Sequence, residues 1–321
     1  MFTHKDIQYR SIFVVNCIKN RNLRVSSGEL LLEDSDEKKT LTKFPFQKIL
    51  ALFIIGPISI TTPLIEKCKK FNVALVVMKA NLRPVFFYSA TAEANFLLRE
   101  KQYLLDKREI SIAKFIVWNK VKNQLQVLQN MRKKNEVILK AKEVCANALT
   151  CVESIDDYNF LMGTEGTVAK SFFSAFYQDF NWIGRYPRTK IDPINATLDV
   201  GYTILFNFVE VFIRMFGFDP YIGVYHRLWF KRKSLVCDLM EPFRVLIDVQ
   251  VRKSLNLGQI KAEDFQIIKN EYVLKFAKYP DYAAIFYQAL VERKMDFFKY
   301  VQSYYRAFMS DGQKKFQAFD V

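Results

Sequence analysis

The feature that most constrains this chain is a change of hydrophobic periodicity near residue 90. Before it, short apolar or alternating runs are separated by turns: Ser11 to Cys17, Asn22 to Val25, Glu29 to Leu32, Thr40 to Phe44 and Ile49 to Ile55. Runs of that length and period are strands. Ser26-Ser27-Gly28 and the acidic Glu33-Asp34-Ser35-Asp36 cluster read as hairpin connections. One helix fits among them, Thr62 to Phe71, with Pro63 in its first turn and Lys67, Lys69 and Lys70 near its end, where they complement the helix dipole. It leads into two further strands, Val73 to Met78 and Pro84 to Tyr88.

After Ala90 the apolar spacing becomes helical. Leu97, Leu104, Phe115, Trp118, Val121, Leu125 and Leu128 form a stripe with a core side and a basic side. Asp192 followed by Pro193 is an N-cap and first position for a helix that runs to Gly217, which sits where a C′ residue belongs. Its middle is nearly all apolar, so it is expected to be central and buried. A last amphipathic helix is expected over Tyr282 to Met309. The pattern predicts an α+β chain, strand-rich over 1–89 and helical over 90–321.

Charge narrows the function. Lys and Arg total 48 against 33 Asp and Glu, a net charge of +15, which calls for a polyanionic partner, nucleic acid or an anionic membrane face. From Arg99 to Lys142 alone there are twelve basic residues and four acids. The longest uncharged apolar stretch, Ile49 to Ile65, is broken by Gly56, Pro57 and Pro63 and is too short to span a bilayer. The first ten residues are charged and carry no signal-peptide core. The basic surplus is therefore expected to act in solution rather than on a membrane. Cysteines at 17, 68, 145, 151 and 237 are odd in number and form no C-x-x-C pair. That excludes a disulfide framework and a zinc ribbon and fits a reducing cytoplasm.

Only two histidines occur, His4 and His226. No site can use three imidazoles, and His4 lies too close to a terminus to be the better candidate. Three places in the helical half stand out. Glu165 lies between two glycines in Gly163-Thr164-Glu165-Gly166-Thr167, read as just preceding a helix from Val168 to Asp179; by itself it could simply be an acid favoured at a helix start. His226 follows the apolar Ile222 to Tyr225 and could be a packed structural residue. In Asp238-Leu-Met-Glu241-Pro-Phe-Arg244 the acids have capping-box spacing, and the same spacing sets both on one helical face where they can approach a cation. Together, one imidazole and two or three carboxylates suit Mg²⁺ or Mn²⁺. A dication in so basic a protein points to phosphodiester chemistry. No phosphate-binding loop, dinucleotide turn or nucleophile elbow competes with it.

These residues resemble a known family, the CRISPR-associated integrase/endonuclease of the spacer-acquisition complex, the first of the numbered core CRISPR proteins. Ile58 to Val85, ending in Arg83-Pro84, is similar to its N-terminal signature. Asn95 to Arg99 with Gln102, then Lys120, Asn123 and Gln124, resembles the first long helices of its catalytic domain. Met162-Gly-Thr-Glu165-Gly166 resembles its M-G-x-E-G motif, and Asp192-Pro-Ile-Asn195 with Gly201-Tyr202 its D-P-x-N-A…G-Y helix. Gly217 to Pro220, His226 and Ser234 to Arg244 resemble its most diagnostic segment.

The resemblance implies an N-terminal β-sandwich-like dimerisation domain joined to a larger all-α catalytic domain. It implies that Glu165, His226 and Glu241 bind the metal, that Asp238 is a nearby active-site group, and that Arg232 and Arg244 lie near the scissile phosphate. Lys120, the neighbouring helices and the Arg185, Arg188, Lys190 loop would track the DNA backbone. The implied activity is metal-dependent DNA cleavage and insertion of short spacers into the CRISPR array by attack of a 3′-hydroxyl on a repeat phosphodiester. Implied partners are double-stranded and partly single-stranded DNA, a second copy of the chain, and a dimer of a small companion CRISPR protein. Two departures stand out. Leu228-Trp229-Phe230 replaces a polar, glycine-containing turn, and Val245 follows Arg244 where proline is common. The alternatives are a stand-alone branched-DNA or repair nuclease of the same fold, and a non-enzymatic basic scaffold whose acids are caps.

Overall fold

The computed structural model describes residues 2–321 except 19, 38, 90–94, 106–109, 188 and 227. A short helix α1 (His4–Tyr9) precedes β1 (Ser11–Asn16), β2 (Arg21–Ser26), β3 (Glu29–Asp34), β4 (Lys39–Pro45) and β5 (Ile49–Ile55). Then follow α2 (Thr62–Lys70), β6 (Ala74–Met78) and β7 (Pro84–Tyr88). The strands form two sheets. β2, β3 and β4 are an antiparallel meander, and the other sheet has the order β1-β5-β6-β7.

β5 explains why two sheets are needed. Its residues, Ile-Leu-Ala-Leu-Phe-Ile-Ile, are all buried, and a continuously apolar strand must be covered on both faces. Ala51, Phe53 and Ile55 face the helical half, where Phe53 lies 5.0 Å from the Tyr287 ring and stacks at 6.1 Å on Phe208. Leu52 and Ile54 point the other way, into a second core shared with Leu30 and Leu32 of the meander and with Leu64 and Cys68 of α2. The alternation of side chains along one strand thus divides the core in two. β5 pairs in parallel with both β1 and β6. Parallel strands cannot be joined by a tight turn, and α2 supplies the β5-to-β6 crossover.

The helical half contains α3 (Phe96–Tyr103), α4 (Ser111–Gln129), α5 (Glu136–Cys151), α6 (Tyr158–Phe176), α7 (Pro193–Phe216), α8 (Ser234–Met240) and α9 (Arg244–Asn256). After it come β8 (Phe265–Ile268), β9 (Glu271–Leu274), α10 (Tyr279–Glu292) and α11 (Lys294–Met309). α7 is central. Asp192 caps it by accepting from Asn195 N (2.7 Å), Pro193 opens it, and Gly217 closes it in the left-handed region at φ 91°. By length and apolarity α7 could cross a membrane, but 78% of its apolar window is buried inside the protein. Its nonpolar surface serves the core.

The switch from strands to helices falls where the periodicity changes; the boundary at residue 90 lies outside the described residues. Across it the halves share one continuous core, and Asn207 Nδ2 of α7 donates to Leu82 O at 2.9 Å. Two elements differ from the periodicity reading. The helix expected over Tyr282 to Met309 is two helices, with a break at Arg293. The helical half also holds the β8–β9 hairpin, whose connection Lys269-Asn270 has both residues at positive φ, 50° and 62°. His4 packs on α11, with Nε2 3.0 Å from Gln302 Oε1 and its ring edge-on to Phe298.

Candidate active site

Glu165 sits in the middle of α6, where the sequence reading had placed it before a helix. The difference has a local cause. Asp157 caps the helix by accepting from Phe160 N at 2.8 Å, so α6 begins earlier and runs straight through both glycines. A Cβ at Gly163 or Gly166 would meet nothing within 4 Å, and no packing demands a break there. α6 therefore presents Glu165 from a rigid helix.

Glu241 stands on the 3-10 turn Glu241–Phe243 between α8 and α9. Pro242 lacks a backbone N–H, which suits this point where the ladder changes register. Asn123 of α4 holds the turn by donating to Pro242 O at 3.1 Å. From the same helix Lys120 donates to Glu241 Oε2 at 2.6 Å and to Glu165 Oε1. Two carboxylates from distant elements thus converge on a single cationic atom, Lys120 Nζ. Burial works against charge on that lysine, but Glu165 and Glu241 outweigh it and hold the ammonium above its ordinary pKa. Burial likewise opposes ionisation of Glu241, and Arg244, Lys120 and His226 overcome it, bringing its carboxyl down to about 2.

His226 lies on the loop before α8, and Asp238 determines its pose. Asp238 Oδ2 accepts from Val224 N (2.6 Å) and Tyr225 N (3.0 Å), and Oδ1 from His226 N (2.8 Å) and the ring Nδ1 (2.7 Å). Four donors fill the acceptor positions of one buried carboxylate. Asp238 is thus neither a helix cap nor free to face a cation beside Glu241; it positions the loop and the imidazole. Because a carboxylate only accepts, Nδ1 carries a proton, and Nε2 has no hydrogen-bond partner among the described residues. The loop also depends on Gly223, where a Cβ would come within 2.5 Å of Asp238 Oδ2 and 2.8 Å of the Ser234 backbone.

Tyr225 and Tyr158 complete the wall. Tyr158 Oη donates to Tyr225 O, and the Tyr225 ring meets His226 at 5.0 Å. The Tyr225 hydroxyl is buried with no hydrogen-bond partner among the described residues, and burial together with the charges of Glu165 and Glu241 pushes its pKa up. Among the described residues no three His, Cys, Asp or Glu side chains close into a ready-made metal cage. The Lys120 ammonium stands between the two acids instead. The donor set of two carboxylates, an uncommitted imidazole nitrogen and an orphaned hydroxyl is nevertheless one that a hard or borderline dication fits.

Arg244 connects this site to a cavity of about 720 Å³. Its Nε donates to Glu241 Oε1 at 3.0 Å, and its guanidinium lies 4.6 Å over the Tyr202 ring. Arg83, Arg185 and Lys190 also line the cavity. Arg185 is held by Asn195 and Asp199, Lys190 lies 3.4 Å from Glu271, Arg232 is exposed on the loop before α8, and Arg188 lies outside the described residues. Part of the expected basic track over 99–142 is paired with acids from other segments. Lys101, Lys114, Lys122 and Lys133 pair with Asp311, Asp156, Asp320 and Asp179, and Lys107 and Arg108 lie outside the described residues. Lys120, expected to touch DNA, is buried between the two acids. Its role, and those of Tyr225 and Arg83, escaped the sequence reading.

A protein-family model described as "CRISPR associated protein Cas1" matches residues 17–286. The chain belongs to the Cas1 family. Among Cas1 relatives, a CRISPR-associated endonuclease Cas1 from Thermodesulfovibrio yellowstonii is 28% identical over 235 residues, 69% of this chain and 73% of the relative. The Cas1 fold is also seen in a Cas6-RT-Cas1–Cas2 complex, which superposes with TM-score 0.77 at 19% identity; the match covers 97% of this chain but only 36% of that longer one. A casposase bound to integration product gives TM-score 0.74 at 21% identity, covering 97% and 96%.

Proposed function

We propose that this Cas1-family chain is a divalent-metal-dependent DNA endonuclease and strand-transfer enzyme that inserts short DNA segments into a CRISPR array. The observation that carries the proposal is the convergence of Glu165 and Glu241, from a helix and a 3-10 turn, on the single cationic Lys120 Nζ, with His226 near enough to act on the Glu241 carboxyl and its Nε2 without a hydrogen-bond partner among the described residues. Glu165, Glu241 and His226 would hold Mg²⁺ or Mn²⁺, which when bound supplies Lewis-acid polarisation of a phosphoryl oxygen and a lowered pKa for a hydroxyl. Asp238 keeps a proton on Nδ1, which leaves Nε2 for the cation. Arg244 and Lys120 bring positive charge to where negative charge grows on a phosphodiester attacked by a 3′-hydroxyl. The cavity beside Arg244 accepts backbone phosphates through Arg83, Arg185 and Lys190.

The same reading places the chain in the cytoplasm, as a homodimer associating through the strand-rich half, with a small companion CRISPR protein. The casposase and Cas1–Cas2 neighbours support DNA integration and a companion by similarity of fold. The test is integration of a labelled duplex into a supercoiled plasmid carrying the cognate repeat. Half-site products should form in Mn²⁺ or Mg²⁺ and vanish in EDTA, and Glu165→Ala and His226→Ala should abolish them while DNA binding persists. Undiminished product in EDTA would refute the reading.

A further inference from the structure

Asn195, Asp199 and Tyr202 stand at i, i+4 and i+7 on α7 and so share one face of the helix. Arg185 lies along that face. Its guanidinium donates to Asn195 Oδ1 at 3.0 Å and to Asp199 Oδ1, and its carbon centre lies 5.5 Å over the Tyr202 ring. Asn195 also fixes the backbone around Arg185, accepting from Tyr186 N at 2.8 Å and donating to Gly184 O at 2.9 Å. From α9, Arg244 lies 4.6 Å over the same ring while its Nε donates to Glu241 Oε1. One phenol ring thus carries two guanidinium groups, one reaching the candidate active site and one standing in the cavity wall. The ring itself is held. Tyr202 is 7% exposed, and its hydroxyl donates to Asp248 Oδ1 of α9, whose backbone oxygen accepts from Tyr177 Oη at 2.9 Å. Gly201 makes that approach possible, because a Cβ there would collide with Ile247 Cγ2 on α9.

We infer that Tyr202 is a positioning residue whose ring sets Arg244 and Arg185 as a pair for two phosphates of one DNA strand. Arg244 takes the phosphodiester beside Glu241, and Arg185 takes one farther along the cavity. The inference rests on the function proposed above and adds the residue that orders two of its cations. Neither guanidinium can shed its charge, and two like charges side by side repel. An aromatic face attracts both and offers each a flat surface on which to stack. Phosphates of one strand advance only about 3.4 Å along the duplex axis per nucleotide, so two guanidinium groups over one ring serve neighbouring positions. Tyr202 acts through the two arginines, and Asp248 acts by fixing the ring.

The test is binding of a fluorescein-labelled duplex in EDTA across a salt series, with circular dichroism to establish that each variant is folded. Tyr202→Leu should bind about 10-fold or more weakly and lower the slope of log K against log salt by about 2, the mark of two lost phosphate contacts. Tyr202→Phe keeps the ring and should keep the parent's slope. In an Arg185→Gln, Arg244→Gln background, Tyr202→Leu should cost no further affinity, because side chains that act as one unit are not additive. Where Tyr202→Leu does not fold, Tyr202→Met, longer and still apolar, makes the same comparison. A ring that only packs would give an unchanged slope, the same loss from Tyr202→Phe as from Tyr202→Leu, or an equal loss with and without the two arginines. Any of these would overturn the inference. If the ring-dependent slope held while the parent integrated nothing in Mn²⁺, the enzymatic reading alone would fall.

Discussion

Lys120 is the residue on which the pairing of the two site carboxylates turns. Its ammonium neutralises two carboxylates drawn together from α6 and the 3-10 turn, and the pair with Glu241 is almost wholly buried. Removing one partner of a buried ion pair leaves the other charge uncompensated. Lys120→Met should lower unfolding free energy by about 3 kcal/mol in EDTA, measured by urea denaturation, and added Mn²⁺ should recover part of the loss by supplying the missing positive charge. None of this was legible in the sequence, because the partners of Lys120 lie 45 and 121 positions away. Asp238 is the complementary case. Its place in the motif could be read, but its four accepted hydrogen bonds could not. Asp238→Asn loses a carboxylate oxygen and with it two of those bonds. It should cut strand transfer about 10-fold or more, as losses behind a metal ligand do, with DNA affinity unchanged in a mobility-shift assay.

At the scale of elements, α7 and α9 bury a titrating pair at their contact. Tyr202 of α7 donates its hydroxyl to Asp248 Oδ1 of α9, and Tyr177 Oη donates to Asp248 O at 2.9 Å. Burial raises the Asp248 carboxyl from 3.8 to about 7, against the opposing pull of the Tyr202 hydroxyl and Arg244. A carboxyl that is a weaker acid folded than unfolded supports the fold in its protonated form. That support is complete below the unfolded value and is lost as pH rises towards about 7, a loss on the order of 4 kcal/mol for a shift of this size. Asp248→Asn cannot ionise, so its stability should fall less than the parent's between about pH 4 and about pH 7, as urea midpoints would show. The elements themselves were largely readable. Short apolar or alternating runs marked all seven N-terminal strands and cap chemistry marked both ends of α7, because those signals are local. Parallel pairing of β5 with β1 and β6 is a tertiary choice with no local mark. The β8–β9 hairpin was missed because its Lys269-Asn270 turn lacks the usual glycine, and the α10–α11 break falls at Arg293, a residue that normally continues a helix.

At the scale of the whole molecule, the charge of +15 is spread unevenly in use. Part of the basic surplus over 99–142 is paired with Asp156, Asp179, Asp311 and Asp320, which composition could not reveal because those acids lie in other segments. The cations lining the cavity beside Arg244 come from both halves of the chain: Arg83 from the turn before β7, the others from the helical half. Arg83→Gln should weaken DNA binding alike for all sequences and reduce the slope of log K against log salt by about 1, the mark of one lost phosphate contact. The central claim is that Glu165, Glu241 and His226 together hold a divalent cation, and calorimetric titration with Mn²⁺ in the absence of DNA tests it most directly. Changes behind a metal ligand already cost about 10–100-fold in affinity, so His226→Ala and Glu241→Gln should each weaken Mn²⁺ binding by more than about 100-fold. Mn²⁺ affinity equal to the parent's in both variants would contradict the account.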